Sequence, residues 1–274
     1  MPETIPIADV SVSVYTVADM FRTDRWEGLL TEFEALLGEP MHRLDTNDPI
    51  RKLAPPTIAE QAKVLVTPDE PDNPHRTDCY YHATWKRWKG LMLANTVVLH
   101  KERWWYTSTV SISLDADYLM DAEFADLYTK LLDAMIHYTQ PVDGYGYYGP
   151  ERGEFKGEMS DAIERLGLTL DWERKAWGTH KRWLQWLTYL HPVDVARLRP
   201  EAIKSLEPYQ IPCRGPGVLW RFGDLPGTQE TNWVIREARD ILNKDTYLFA
   251  DPDMPIEGYD TKYILPYTEM GWME

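Results

Sequence analysis

An alternating stretch followed by a helical pattern is the feature that most constrains the fold of this chain. Residues 105–114 alternate with period two, which predicts a strand with one apolar face and one mostly hydroxyl-bearing face. A helical stripe of apolar residues follows: Phe124, Leu127, Tyr128, Leu131, Leu132, Met135 and Ile136. Gln140-Pro141 ends this helix, because proline cannot continue it. Asp143-Gly144 is then expected to turn the chain into a return strand at 145–148.

A second strand and helix near the N-terminus indicate a duplication. Residues 10–15 alternate in the same way, and a helical stripe covers residues 26–37. We expect Asp24 to be the N-cap of this helix and Gly38 to end it. With a further strand at 91–99, the pattern predicts an α+β protein with a ferredoxin-like β-α-β-β-α-β core and an added C-terminal β/α region on the same body.

The predicted domain organisation has two lobes that pack together. Residues 1–150 form the duplicated strand–helix lobe, with a loop-rich insertion at 39–90 that is marked by prolines. Residues 151–274 form a helical and β/α lobe packed on the first. In this second lobe we expect helices at 160–166, at 179–190 and from residue 228 onward, and strands at 217–222 and 247–249.

Net charge and cysteine content restrict the partners of the chain. The formal charge of −15 repels phosphate backbones and anionic membranes, and it attracts a basic protein. Two cysteines are too few for a disulfide framework. The N-terminus lacks the pattern of a signal peptide, and no apolar run reaches the roughly 18 residues of a membrane span. We therefore expect a soluble, cytoplasmic protein that binds neither nucleic acid nor membrane.

Motifs for catalysis or metal binding are weak. A spacing that suits a metal occurs at His75, Cys79 and His82. Because structural zinc normally takes four ligands, we predict no metal site, and whether these three side chains meet an ion stays an open question. The sequence contains no nucleophile elbow, P-loop, Rossmann glycine pattern or zinc-protease helix, so we predict no catalytic residue and no cofactor. At residues 85–89, alternating aromatic and basic residues predict cation–π packing within the protein.

A run of acidic residues is compatible with an enzymatic function. Five acids fall within twelve residues: Asp115, Asp117, Asp121, Glu123 and Asp126. They suit a strand-to-helix turn, because carboxylates stabilise a helix N-terminus. They also leave open a metal-dependent hydrolase, although the spacing lacks the pattern of a calcium loop.

The segment Trp183-Leu184-Gln185-Trp186-Leu187-Thr188-Tyr189-Leu190 supports a family resemblance. Its W-L-T-Y-L core, the apolar strand at 217–222 and the helix that contains Asn232 resemble those of bacterial immunity proteins of type VI secretion and other polymorphic toxin systems. The strand–helix–strand unit at 104–148 fits the same layout. The insertion at 39–90 and the aromatic C-terminal tail depart from it, so the partner-binding face is expected to differ.

The resemblance implies a binding protein and not an enzyme. Such a protein binds its cognate toxin and covers the active site, with charge complementarity speeding capture and aromatic anchors holding the complex. The contacts we expect are acidic loop residues: Asp69, Glu70, Asp72, Glu151, Glu154 and Glu158. A mobile-element protein that inhibits a host defence factor by binding is a further alternative, and the oligomeric state stays open.

Overall fold

The structure of the chain is a computed structural model that describes residues 7–16, 18–46, 49–68, 79–96, 108–115, 122–150, 184–226 and 228–243. Within these ranges nine strands form one antiparallel sheet in the order β2-β3-β4-β5-β1-β6-β7-β9-β8. Their bounds are β1 Ile7–Thr16, β2 Arg43–Asp45, β3 Cys79–Trp85, β4 Gly90–Thr96, β5 Ser108–Asp115, β6 Asp143–Pro150, β7 Leu187–Leu190, β8 Gln210–Ile211 and β9 Val218–Arg221.

Six α-helices lie in the same described ranges. They are α1 Thr23–Leu37, α2 Ile58–Leu65, α3 Ala122–Thr139, α4 Pro192–Val195, α5 Pro200–Ser205 and α6 Gln229–Asn243, and a 3₁₀ turn spans Glu207–Tyr209. The prediction of a mixed α+β protein is confirmed by this large sheet and its helices. None of the described helices has the length and apolarity that a membrane crossing requires.

The first helix layer covers one face of the central strands. Val10, Val12 and Val14 of β1 are fully buried in a core that they share with α1 and α3. The predicted stop at Gly38 is confirmed: its φ is 67° and its N–H donates to the Glu34 carbonyl oxygen. The predicted N-cap is wrong, because α1 begins at Thr23 and Asp24 lies in its first turn, where its carboxylate pairs with Arg22.

The second helix layer lies on the opposite face, over the C-terminal strands. Tyr189 and Leu219 belong to the first core, whereas their neighbours along the strands, Leu190 and Trp220, belong to a second core with residues of α5 and α6. Successive side chains of a strand point to opposite faces. Strands β7 and β9 are therefore apolar on both faces, and helices of the two layers cover opposite sides of one sheet.

Three predictions of local structure are corrected. Residues 187–190 form a strand and not the end of the predicted helix. The prediction failed because all four side chains are buried, and a fully buried segment lacks the alternation that distinguishes a strand from a helix. The segment 39–90, predicted to be a loop-rich insertion, contributes the strands β2 and β3 to the body. Asp143-Gly144 lies inside β6 and forms no turn. The elements predicted at 160–166 and 247–249 lie outside the described residues. So do the first residues of those predicted at 105–114 and 179–190, and the last residues of the strand predicted at 91–99.

An arginine in the β8–β9 loop ties the C-terminal strands to the first helix layer. The Nε atom of Arg214 donates to Asp133 of α3 at 2.6 Å, and its Nη1 atom donates to Glu32 of α1 at 3.0 Å. Hydrogen bonds to Glu32, opposed by partial burial and reinforced by Asp133, raise the pKa of Arg214 above its ordinary value. The guanidinium therefore stays charged and holds the loop against both helices.

Candidate functional site

The predicted acidic contact residues lie outside the described residues. Asp69, Glu70 and Asp72, and likewise Glu151, Glu154 and Glu158, stay predictions for this reason. An acidic and aromatic surface does occur in the described part of the chain, on α6.

Of the three residues considered for metal binding, the two that the structure describes lie on opposite faces of the sheet. His75 lies outside the described residues, while Cys79 and His82 both lie on β3. Because three positions separate them along a strand, their side chains point to opposite faces and do not converge on one ion. Cys79 is fully buried in the first core. Across the described ranges, no group of three or more His, Cys, Asp or Glu side chains is placed to hold a metal.

The acidic run is described only in part. Of its five side chains, the structure describes Glu123, which is exposed, and Asp126. The Asp126 carboxylate lies 2.5 Å from Nη1 of Arg221 on β9. This ion pair links α3 to the C-terminal strands, so Asp126 has a structural partner within the protein.

The basic and aromatic segment at 85–89 turns β3 into β4. The guanidinium carbon of Arg87 lies 5.1 Å from the centre of the Trp88 ring, which confirms the predicted cation–π packing within the protein. The indole N–H of Trp88 donates to the Leu37 carbonyl oxygen at 2.7 Å, and Trp85 is buried. These aromatic rings thus stabilise the hairpin and the end of α1.

On the hydroxyl-bearing face of the central strands, two pairs of side-chain hydroxyls bond to each other across neighbouring strands. Ser13 and Ser111, which are cross-strand partners, lie 2.8 Å apart at their Oγ atoms. The hydroxyls of Tyr15 and Tyr145 lie 3.0 Å apart. Ser13 is also 4% exposed. These hydroxyls stabilise strand pairing and do not present an open row of polar groups.

Helix α6 has a buried side that fixes its orientation on the sheet. Val234, Ala238 and Leu242 recur at helical spacing and pack in the second core, beside Trp220 and Phe222. The hydroxyl of Thr228 accepts a hydrogen bond from the Thr231 backbone N–H at 3.1 Å. This contact caps the helix, which begins at Gln229, next to the start predicted at residue 228.

The solvent side of α6 combines one large aromatic ring with carboxylates. Trp233 is 59% exposed. Glu230, Glu237 and Asp240 are exposed and lie three, four and seven positions from it, so they share its side of the helix. We call these four residues the α6 surface. Arg236 is exposed beside it, and Nε of Arg239 lies 3.9 Å from the Asp240 carboxylate, so three carboxylates have two neighbouring guanidinium groups.

Sequence reasoning identified α6 but did not single out its surface. The predicted apolar stripe of the helix contained Val234, Ala238, Ile241 and Leu242. By helical spacing, Trp233 falls outside that stripe, and the sequence therefore already indicated that its ring does not face the core.

Comparison with solved structures shows a likeness of fold. No protein-family model matches the sequence, and neither does any curated protein. Among solved structures, the fold is similar to that of the Pseudomonas aeruginosa T6SS protein PA0821, with a TM-score of 0.56 and 14% sequence identity. The match covers 90% of this chain and 77% of that one. At this identity the likeness shows a shared fold.

Proposed function

We propose that this chain is an immunity protein of a type VI secretion or polymorphic toxin system, which binds a cognate toxin and occludes it. The observation that carries the proposal is the fold likeness over 90% of the chain to a protein described as a T6SS protein. The W-L-T-Y-L segment points in the same direction, and in this structure it supplies β7, the strand that joins the C-terminal strands to β6.

The charge of the chain supports the same function. A net charge of −15 raises the rate of encounter with a cationic toxin and opposes binding to nucleic acid. The exposed carboxylates of α6 supply charge that attracts a cationic partner, and the exposed ring of Trp233 supplies an aromatic anchor. On this proposal the protein acts in the cytoplasm of the producing cell, by binding alone and without a catalytic step or cofactor.

The test is a rescue experiment with the product of the neighbouring gene. That product is expressed from an inducible promoter in a bacterial host, with and without this chain, and growth is followed after induction. We expect growth to stop without this chain and to continue with it, and the two proteins to co-elute in size-exclusion chromatography. A toxic neighbour that this chain neither binds nor neutralises would rule out the proposed function.

We also propose that the ferredoxin-like repeat forms the centre of the sheet. The order β4-β5-β1-β6 supports this, because the first predicted strand lies between the third and the fourth, as that topology requires. Helices α1 and α3, which follow β1 and β5, pack in the same core. A crystal structure in which the β1–α1 and β5–α3 units do not superpose would contradict this assignment.

A further inference from the structure

Trp233 differs from the other described tryptophans in its environment. Trp26, Trp85, Trp186 and Trp220 are among the largest fully buried side chains of the protein. Trp233 is 59% exposed, although its own helix buries the opposite side in the second core. Tryptophan is enriched where protein surfaces meet, because burying its large ring on binding releases much apolar area from water.

The carboxylates around this ring determine which partner fits. Glu230 and Glu237 lie one helical turn before and after Trp233. Asp240 continues the same side, is 66% exposed and lies 3.9 Å from Nε of Arg239, so Glu230 and Glu237 are the two carboxylates that a partner's cation would meet first. A Lys or Arg side chain that stacks on the indole face would reach these carboxylates at the same time. The surface is therefore complementary to a basic protein patch that presents such a cation.

We propose that the α6 surface is the docking site for the toxin, and that it receives a basic patch in which a Lys or Arg side chain packs on Trp233. This inference rests on the proposed function and adds the site and the chemistry of the partner. A second copy of this chain fits less well, because an isologous contact would bring the same carboxylates face to face. An anionic membrane is repelled for the same reason.

The binding experiment uses the product of the neighbouring gene as the probe, carrying a substitution that inactivates it. Its dissociation constant is measured by calorimetry with the wild-type chain, Trp233→Ala and Leu53→Ala. Leu53 is 70% exposed on the loop that follows β2, which makes it a matched control for the loss of an exposed apolar side chain. We expect Trp233→Ala to weaken binding by at least about 30-fold and Leu53→Ala to leave it unchanged.

A charge variant tests the second part of the proposal. Glu237→Lys should lower the association rate constant at low salt, and this deficit should shrink as salt is added, because screening removes steering. Glu27→Lys on α1, on the other face of the sheet, changes the net charge equally and serves as the control. Circular dichroism and the melting temperature of each variant verify that it is folded.

The outcomes separate the two proposals. If the wild-type chain does not bind the probe, the proposed function fails and this inference fails with it. If the wild-type chain binds and Trp233→Ala binds within about threefold of it, the proposed function stands and the α6 surface is not the docking site. If the wild-type chain alone forms a dimer that Trp233→Ala abolishes, a second copy occupies the surface and the inference is wrong.

Discussion

Replacing Arg214 by alanine should loosen the attachment of the C-terminal strands to the first helix layer. The guanidinium makes hydrogen bonds to two carboxylates, Glu32 of α1 and Asp133 of α3. The Arg214 backbone N–H also donates to Asp133 at 2.7 Å, and alanine retains that bond. The substitution therefore removes the side-chain bridge alone, at one point of the β8–β9 loop.

The size of the effect follows from the exposure of the three side chains. Arg214 is 40% exposed, Glu32 is 24% exposed and Asp133 is 21% exposed, so solvent screens both pairs. Exposed ion pairs contribute about 0.2–1 kcal/mol each, and the two-pronged geometry places these pairs at the upper end of that range. We expect the free energy of unfolding to fall by about 2 kcal/mol. For a chain of this size, that loss lowers the melting temperature by about 4–8 °C.

Urea unfolding followed by circular dichroism, at low and at high salt, measures this loss. Arg214→Lys is the matched variant: it keeps the charge but lacks the fork that reaches both carboxylates, so it should recover about half of the loss. A cycle of Arg214→Ala with Glu32→Gln should give a coupling energy of about 1 kcal/mol. If the Arg214→Ala protein unfolds within about 0.5 kcal/mol of the wild type at low salt, the two ion pairs do not stabilise the fold.

Three further substitutions test the structure elsewhere. Burial alone would raise the pKa of Asp45, but the N–H groups of Arg51 and Lys52 and the Lys52 ammonium hold it below its ordinary 3.8. This stabilisation is fully present above the unfolded pKa and is lost as pH falls through the folded one, so Asp45→Asn should be less stable at neutral pH and should flatten the acid-unfolding curve below about pH 4. Gly217→Ala would place a Cβ atom 2.0 Å from the Leu190 carbonyl oxygen, which should lower the free energy of unfolding by about 1–3 kcal/mol in urea titrations. Tyr128→Phe removes hydroxyl contacts to the Val10 carbonyl and the Leu114 N–H and should cost about 1–2 kcal/mol, whereas Tyr80→Phe at an exposed site should cost nothing measurable.

Elements with one buried face were predictable from the sequence. The alternation at 10–15 and the stripes of α1 and α3 record which side chains face the core, and the structure places β1, α1 and α3 there. Local chemistry added the end of α1 at Gly38 and the start of α6 after Thr228. These features depend on neighbours within a few residues, which is the range over which sequence periodicity and capping act.

Strand β7 shows where periodicity stops being informative. Its four residues are all buried, because helices cover both faces of the sheet at that point. A residue pattern without alternation does not distinguish a strand from a helix, so the segment was predicted as a helix. The strands β2 and β3 were missed for a different reason: the prolines at 55–56 and 68–74 indicated loops throughout the segment 39–90.

The acidic charge, the lack of recognisable catalytic motifs and the buried sides of the central elements could all be read from the sequence. The register in which β1 pairs with β5 and β6 came from the tertiary structure, since its partners lie 92–106 positions away on β5 and 128–143 positions away on β6. The exposure of the proposed docking surface also depends on the tertiary structure. Helical spacing places Trp233 off the apolar stripe, but its exposure depends on what the rest of the fold packs against α6, and the fold covers the opposite side.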